Sequence, residues 1–366
     1  MEGLPPLKQV ANDEEIDMKN PQDFLEITET EANGVSKYSH GITRIYKITV
    51  ENFPRHFTNA YLILDGAVTL VDVGYNGANS SAFLERGFNA VAVEFGEAVK
   101  LSDVENIVIT HGHGDHFGLL SYEKLKGKTV YMHPLDSHVL HNHRKTYADW
   151  MEDQLRLVRE AGSDATLDNP YGDFEWHIYP GDYEIVAVTD GQLIINDYKV
   201  HHFPGHSLGH ICLGVGPFLL LGDHILSSTT PHQTPKSNWG GAGLDAYLDS
   251  LGRASSIGYK LGLPAHEDII YSIAGRAQEI EAFHHERLRE LTEICIEEKN
   301  LEEITSAYYI RHPEFIQGDF GKEFAGSNKI LALEEIKAHL EYLLERDVLA
   351  ETGVESGVPR YQSRRI

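Results

Sequence analysis

A short apolar run, Ile107-Val108-Ile109, passes directly into Thr110-His111-Gly112-His113-Gly114-Asp115-His116, and no other stretch constrains the fold as strongly. Four side chains able to ligate a metal (His111, His113, Asp115 and His116) fall within six residues, at the end of what reads as a buried strand. Imidazole nitrogen suits zinc, whereas carboxylate oxygen is harder and also accepts iron or manganese. Gly112 and Gly114 allow a tight loop that aims all four side chains into one space; a helical His-x-His would send its side chains apart. A histidine-rich surface turn that binds nothing would not explain such density behind a strand.

Three later segments repeat the arrangement, each a β-like or apolar run that ends at a potential ligand. Lys199–Phe203 leads into Pro204-Gly205-His206-Ser207-Leu208-Gly209-His210, Phe218–Leu221 into Gly222-Asp223-His224, and Leu263-Pro264-Ala265 into His266-Glu267-Asp268. That order would gather the ligands along one edge of the sheets. Gly205-His206-Ser207-Leu208-Gly209 also fits the G-x-S-x-G elbow of a nucleophilic serine, which needs a strand before it and a helix after it. Here Ile211–Gly216 is β-like, so Ser207 is not read as a nucleophile. His210 reads as packing or as support for the ligands, and His201, His202 and His224 as structural or solvent-facing. The helical His138, His141 and His143 read as surface residues.

Around these motifs the chain alternates short strands and helices. Strand signals begin at Thr43–Val50 and continue through Tyr61–Leu64, Val68–Val73, Thr129–Met132, Glu184–Val188 and Leu193–Ile195. Helical spacing covers Ser80–Ala98, Leu135–Gly162 and Asp245–Gly258. Two groups of strands with intervening helices predict an α+β fold, a layered αββα sandwich rather than a doubly wound parallel sheet. Residues 1–35 read as an acidic lead-in, 36–273 as the catalytic domain and 274–366 as a smaller C-terminal domain. The last contains a helical stripe from Ala277 to Cys295, runs at Leu301–Ile310 and Ile330–Glu345, and a terminal pair of strands resembling a wing. Residues 135–182, rich in aromatics (Tyr147, Trp150, Tyr171, Phe174, Trp176, Tyr179), are an expected lid insertion or an ordinary helical pair.

The motif series, in order from about Thr43 to Ile273, resembles the metallo-β-lactamase superfamily, and within it the glyoxalase II-like branch. Asn59-Ala60-Tyr61-Leu62-Ile63 and Val71-Asp72-Val73-Gly74 resemble that family's opening strands. The resemblance implies an αββα metallo-β-lactamase sandwich with a small helical, winged-helix-like C-terminal domain. It also implies a dinuclear site: His111, His113 and His206 for one metal, Asp115, His116 and His266 for the other, and Asp223 bridging both. Zinc is the expected ion, with iron or manganese also compatible. Asp115 and Asp223 would be the catalytic carboxylates beside a metal-bridging hydroxide. Asp72 would orient a ligating imidazole, since such rings usually donate their other N–H to a carboxylate or carbonyl; a plain turn aspartate is the competing reading.

Composition narrows the partners. The net charge of −25, from 56 acidic against 31 basic residues, disfavours nucleic acid and anionic membrane, both of which need clustered Lys and Arg. The C-terminal helix near Asn328–Arg346 sets Lys329, Lys337 and Arg346 against four glutamates, which is not a nucleic-acid face. Cys212 and Cys295 are far apart and form no disulfide framework. No stretch has the apolar length of a membrane helix, and the N-terminus lacks a secretion pattern, so a cytoplasmic protein is expected, with a homodimer as the base-rate assembly.

The expected activity is hydrolysis of a small acyl substrate, a thioester or ester. Phosphodiester cleavage, including RNA, is the alternative within enzymes, and a non-catalytic metal-binding scaffold the alternative outside them. For a glutathione thioester, Lys236 is the one basic residue placed as a weak candidate for the carboxylates. Asp223 is followed by His224-Ile225-Leu226-Ser227, without the tyrosine that would favour a lactonase.

Overall fold

The computed structural model describes residues 28–30, 35–53, 55–141, 143–166, 182–238, 240–313 and 325–364. Its first sheet has eight strands in sequence order: β1 (Thr28–Thr30), β2 (Val35–His40), β3 (Thr43–Phe53), β4 (His56–Leu64), β5 (Val68–Val71), β6 (Asn106–Val108), β7 (Thr129–Met132) and β8 (Glu184–Ala187). β1 to β5 pair antiparallel and β5 to β8 parallel. The parallel connections run through α1 (Ser80–Glu94), the single turn α2 (Gly114–Phe117), and the pair α3 (Pro134–His141) and α4 (His143–Ala161).

The second sheet contains β9 (Leu193–Ile194), β10 (Tyr198–His202), β11 (Ile211–Val215), β12 (Phe218–Gly222) and β13 (Leu261–Pro264), ordered β13-β12-β11-β10-β9. α5 (Leu244–Ala254) crosses between β12 and the parallel β13. Beyond them lie α6 (Ile273–Ile294), α7 (Leu301–Arg311), α8 (Ala325–Glu345) and the antiparallel hairpin β14 (Leu349–Glu355) and β15 (Val358–Ser363).

Strand alternation divides the side chains among three layers. Ile45, Tyr61, Ile63, Val71 and Val108 meet Val200, Leu213, Phe218, Leu220 and Leu263 between the sheets. The opposite faces of the first-sheet strands (Ile48, Leu62, Leu70, Ile107) pack with Leu84, Phe88 and Val91 of α1. On the far side, Cys212, Leu219 and Leu221 share a core with α5, α6, α7, α8 and Leu157 of α4. This is the αββα sandwich expected from sequence. The C-terminal helices are packed onto the second sheet through a continuous apolar layer, which at about 25 cal/mol per Å² is a substantial favourable contribution.

The strands differ from expectation at their start. Val35–His40 forms β2, although the sequence signals begin only at Thr43. Its polar residues obscure the pattern, and the strand is stabilised by pairing with β3 across the tight turn after His40, where Gly41 takes φ +61°. Of the aromatics expected in the insertion, Tyr171, Phe174, Trp176 and Tyr179 lie outside the described residues, as does the side chain of Tyr147. Among the described residues, no helix is long and apolar enough to cross a membrane.

Candidate metal centre

β5, β6, β12 and β13 all end at the same edge of the sandwich, and their C-terminal extensions carry Asp72, His111, Asp223 and His266. The two sheets are pinned together there. Ile211 N–H donates to the Thr110 carbonyl (2.9 Å) and Asn59 N–H to that of Ala265 (2.6 Å), while within the second sheet Ala265 N–H donates to the Gly222 carbonyl (2.9 Å). Gly222 turns the chain into Asp223 at φ +52°, where a Cβ would stand 2.7 Å from His210 Nε2 and 2.9 Å from the Thr110 side chain; no other residue type fits without movement.

The named candidates converge. His113 Nδ1 lies 3.0 Å from His111 Nε2 and 2.9 Å from His206 Nε2. His266 Nε2 lies 3.3 Å from Asp115 Oδ2 and 3.3 Å from Asp223 Oδ2. Asp223 Oδ2 is also 3.5 Å from His116 Nε2 and 3.6 Å from His206 Nε2, which places this carboxylate between the two groups. The motif is not a loop throughout: His111 and Gly112 form a bend, and the extended His113 caps the turn α2, which carries Asp115 and His116. One helical turn points those two toward the second group.

Four of the five rings, those of His111, His116, His206 and His266, are held by the other nitrogen. His116 Nδ1 donates to Asp72 Oδ2 (2.9 Å), His206 Nδ1 to the His232 carbonyl (2.9 Å) and His266 Nδ1 to the Phe57 carbonyl (2.6 Å). Thr110 Oγ1 donates to Asp72 (2.8 Å) and so accepts from His111 Nδ1 at 3.0 Å. The inward atoms are therefore His111, His116, His206 and His266 Nε2, with His113 Nδ1. Asp72 is an orienting residue and no mere turn aspartate: it takes φ +54°, accepts from Thr110 N–H as well (2.9 Å), and is 2 % exposed.

The donor set suits a divalent cation. His116 Nε2 and Asp223 Oδ1 are buried without a hydrogen-bond partner, a state costing about 1–3 kcal/mol for each group unless something compensates it. Nitrogens ligating one zinc at tetrahedral angles stand about 3.3 Å apart, close to the separations here. Burial holds the His111 and His113 imidazoles below their usual range and pulls His206 down to about 3, so these rings are neutral, as ligation requires. Burial acts the same way on His116, but Asp223, Asp115 and Asp72 overcome it and push that ring up to about 10. The carboxyls of Asp115 and Asp223 stay well below the usual carboxylate range: burial opposes ionisation, and the neighbouring histidines outweigh it.

Several supporting residues were not singled out from sequence. His56 Nε2 bonds to Asp115 Oδ2 at 2.8 Å, its ring stacked on Phe53. Asp136 at the start of α3 accepts from Gly112 N–H (2.9 Å), Ser207 O–H (2.6 Å) and Gly209 N–H (2.6 Å), joining two ligand-bearing loops. Glu267 accepts from Ser228 N–H (2.6 Å) and Thr229 Oγ1 (2.6 Å), fixing the chain that follows Asp223. An acid in the first turn of a helix was visible for Asp136, but its partners were not.

The other histidines sort by their partners. His210 Nε2 accepts from Asp223 N–H (3.0 Å), His201 meets Tyr259 Oη (2.9 Å), and His202 donates to the Leu208 carbonyl (2.8 Å). His141 is exposed as expected, whereas His138 is half-buried and lines the cavity over the centre, because α3 lies against the ligand loop. The side chain of His143 lies outside the described residues. Ser207 is followed by β11, not by a helix. A separate buried group, His284, Glu335 and His339, sits between α6 and α8. There the two rings bond each other (2.9 Å) and Arg287 pairs with Glu335, so the carboxylate is already neutralised.

A cavity of about 770 Å³ opens over the centre, reaching Asp115, Asp223, His113, His206 and His266. Phe53, Phe57, Tyr75, Phe117, Trp150, Leu226 and Leu331 give it apolar walls. Among its described lining residues Arg55 is the only lysine or arginine. Lys236 does not line it; that lysine pairs with Asp245 (2.7 Å) and Glu345 (2.9 Å), so it is no anchor for a substrate carboxylate.

A family model described as the metallo-beta-lactamase superfamily matches residues 54–266. "Probable metallo-hydrolase YqjP" of Bacillus subtilis (strain 168) is 26% identical over 228 residues, covering 58% of this chain and 68% of that protein. Among solved structures, a metallo-beta-lactamase family protein of Thermus thermophilus superposes with a TM-score of 0.70 at 24% identity, covering 87% of this chain and 98% of the other. A beta-lactamase domain protein of Burkholderia ambifaria gives the same TM-score, 0.70, at 20% identity, covering 92% and 95%. These two likenesses bear on the fold alone.

Proposed function

Because this chain belongs to the metallo-beta-lactamase superfamily, we propose that it is a dinuclear metal-dependent hydrolase of a small acyl substrate, a thioester or ester. His111, His113 and His206 would hold one divalent cation, Asp115, His116 and His266 the other, with Asp223 between the two groups. Zinc fits the nitrogen-rich set, and iron or manganese remain compatible with the carboxylates.

The observation that carries the acyl reading is the cavity. Aromatic and aliphatic side chains make up much of its wall beside Asp115 and Asp223, with Arg55 as the single lysine or arginine among the described lining residues. Such a wall can bury an acyl chain, at about 0.8 kcal/mol per methylene, but offers little to a polyanion. The two lysines of α8 are equally unsuited to nucleic acid. Lys329 pairs with Asp164 (2.7 Å) and Glu302 (3.0 Å), and Lys337 with Glu160 (3.0 Å).

Bound cations would supply Lewis acidity toward the substrate carbonyl and a water ionised near neutral pH. The chain's own part is orientation. Asp115, held through Oδ2 by His56 at 2.8 Å, and Asp223, held through its backbone N–H by His210, present carboxylate oxygens that accept hydrogen bonds from the attacking water. Phe53, Phe57 and Trp150 line the face on which an acyl chain would lie.

The test is hydrolysis of a short acyl thioester beside a simple phosphodiester by metal-loaded protein, each with and without chelator. Chelator-sensitive thioester cleavage is the expected result. Phosphodiester cleavage alone overturns the acyl reading, and activity on neither with two ions bound overturns both substrate classes.

A further inference from the structure

The segment between Asp223 and α5 supplies one wall of the cavity but forms no helix or strand among its described residues. Something outside it must hold its shape. At its centre, His232 is inserted between two neighbouring carboxylates of α8: Nε2 lies 3.2 Å from Glu334 Oε2, and Nδ1 lies 3.3 Å from Glu335 Oε2. Successive helical residues diverge by about 100°, so both can reach one imidazole only if the ring stands between them.

The clasp is tied on every side. Glu334 Oε1 accepts from Gln154 of α4 (2.7 Å) and from Asn238 (3.1 Å). Glu335 accepts from Gln233 N–H (2.8 Å) and pairs with Arg287 of α6. The two carboxylates are only 4 % and 7 % exposed. Burying them is costly, and packed apolar residues would serve the core as well or better. Their geometry gives them a second effect. The His232 carbonyl, fixed by the clasp, is the acceptor for His206 Nδ1 at 2.9 Å. That bond selects the tautomer in which His206 Nε2 faces the centre.

We propose that Glu334 and Glu335 are positioning residues, through which the C-terminal helix α8 sets, by way of His232, the orientation of His206 and so the affinity of one of the two cation sites. The inference rests on the dinuclear reading above. It makes α8 part of the metal centre's support, although no atom of α8 need touch a cation.

The experiment is calorimetric titration of the metal-stripped full chain with zinc, with thermal melting of the stripped proteins alongside. His206→Ala identifies which binding step belongs to that histidine. Glu334→Leu is expected to weaken the same step about 10- to 100-fold, as loss of an outer hydrogen-bond partner does, and to leave the other step unchanged. Glu334→Gln keeps an oxygen for Gln154 and Asn238, and its NH2 donates to His232 Nε2 once the ring gives up that proton and stays bonded to Glu335 through Nδ1–H, so it restores most of the affinity. If Glu334→Leu does not fold, His232→Leu carries the comparison, since it keeps the carbonyl but removes the clasped ring. Equal weakening of both steps, or two unchanged steps in a folded variant, overturns the inference while the dinuclear reading stands. A parent chain that binds no zinc, iron or manganese overturns both.

Discussion

Replacing Asp136 by asparagine changes one atom and should be felt by two ligand-bearing loops. The carboxylate receives three donors and offers none: Gly209 N–H on Oδ1, with Gly112 N–H and Ser207 O–H on Oδ2. The best an asparagine can do is leave its carbonyl at the Oδ2 position and turn its NH2 against Gly209 N–H. One charge-assisted bond is then lost and a buried donor left facing another donor, for about 2–4 kcal/mol together. With an unfolding entropy of about 2.1 cal/mol/K per residue, a cooperative unit of 366 residues would melt about 3–5 °C lower. The assay is thermal melting of metal-stripped protein, so that changes in metal affinity do not enter. Asp136→Ala, which abandons all three donors, should fall further, and Ser207→Ala, which removes one donor and leaves the others paired, should fall by about 1 °C. If Asp136→Asn melts with the parent, or above Ser207→Ala, the hub assigned to Asp136 is wrong.

Other expectations follow from the same geometry. Ser207→Ala should retain kcat on any acyl substrate the protein cleaves, whereas loss of a true nucleophile costs about 10⁶; a collapse of kcat in a folded variant would reinstate the serine. Burial opposes protonation of His232, yet Glu334 and Glu335 push it up to about 10. Burial likewise opposes ionisation of Glu335, but Arg287 and His232 draw it far below the usual range. The clasp therefore contributes fully below the unfolded histidine value of about 6.5 and is lost as pH rises toward 10, while the glutamate side is lost only below about 4.3. Melting of stripped protein across that range should fall on the alkaline limb, and His232→Leu should flatten it; parallel curves would refute the linkage. Trp150→Ala, at the cavity wall, should raise KM for a preferred acyl substrate with little change in kcat, and unchanged kinetics would remove Trp150 from the substrate wall.

Much of this molecule was legible along the chain because its signals are local. Short β-like runs marked Thr129–Met132 and Ile211–Val215 to the residue, and helical periodicity marked α6. The order of His111-x-His113-x-Asp115-His116, His206, Asp223 and His266 carried the candidate centre, since each follows an apolar run that could be read in isolation. β2 was lost because its polar residues break the pattern, and its stability comes from pairing with β3.

What the tertiary structure decided is who supports whom. Asp136 lies 24 residues after Gly112 and 73 before Gly209, His56 lies 59 residues before Asp115, and His232 meets Glu334 across 102 residues. Nothing in a period of 2 or 3.6 encodes such pairings. They exist because folding removes water from these polar groups, and each must then find its partner among whatever side chains packing has brought within about 3 Å.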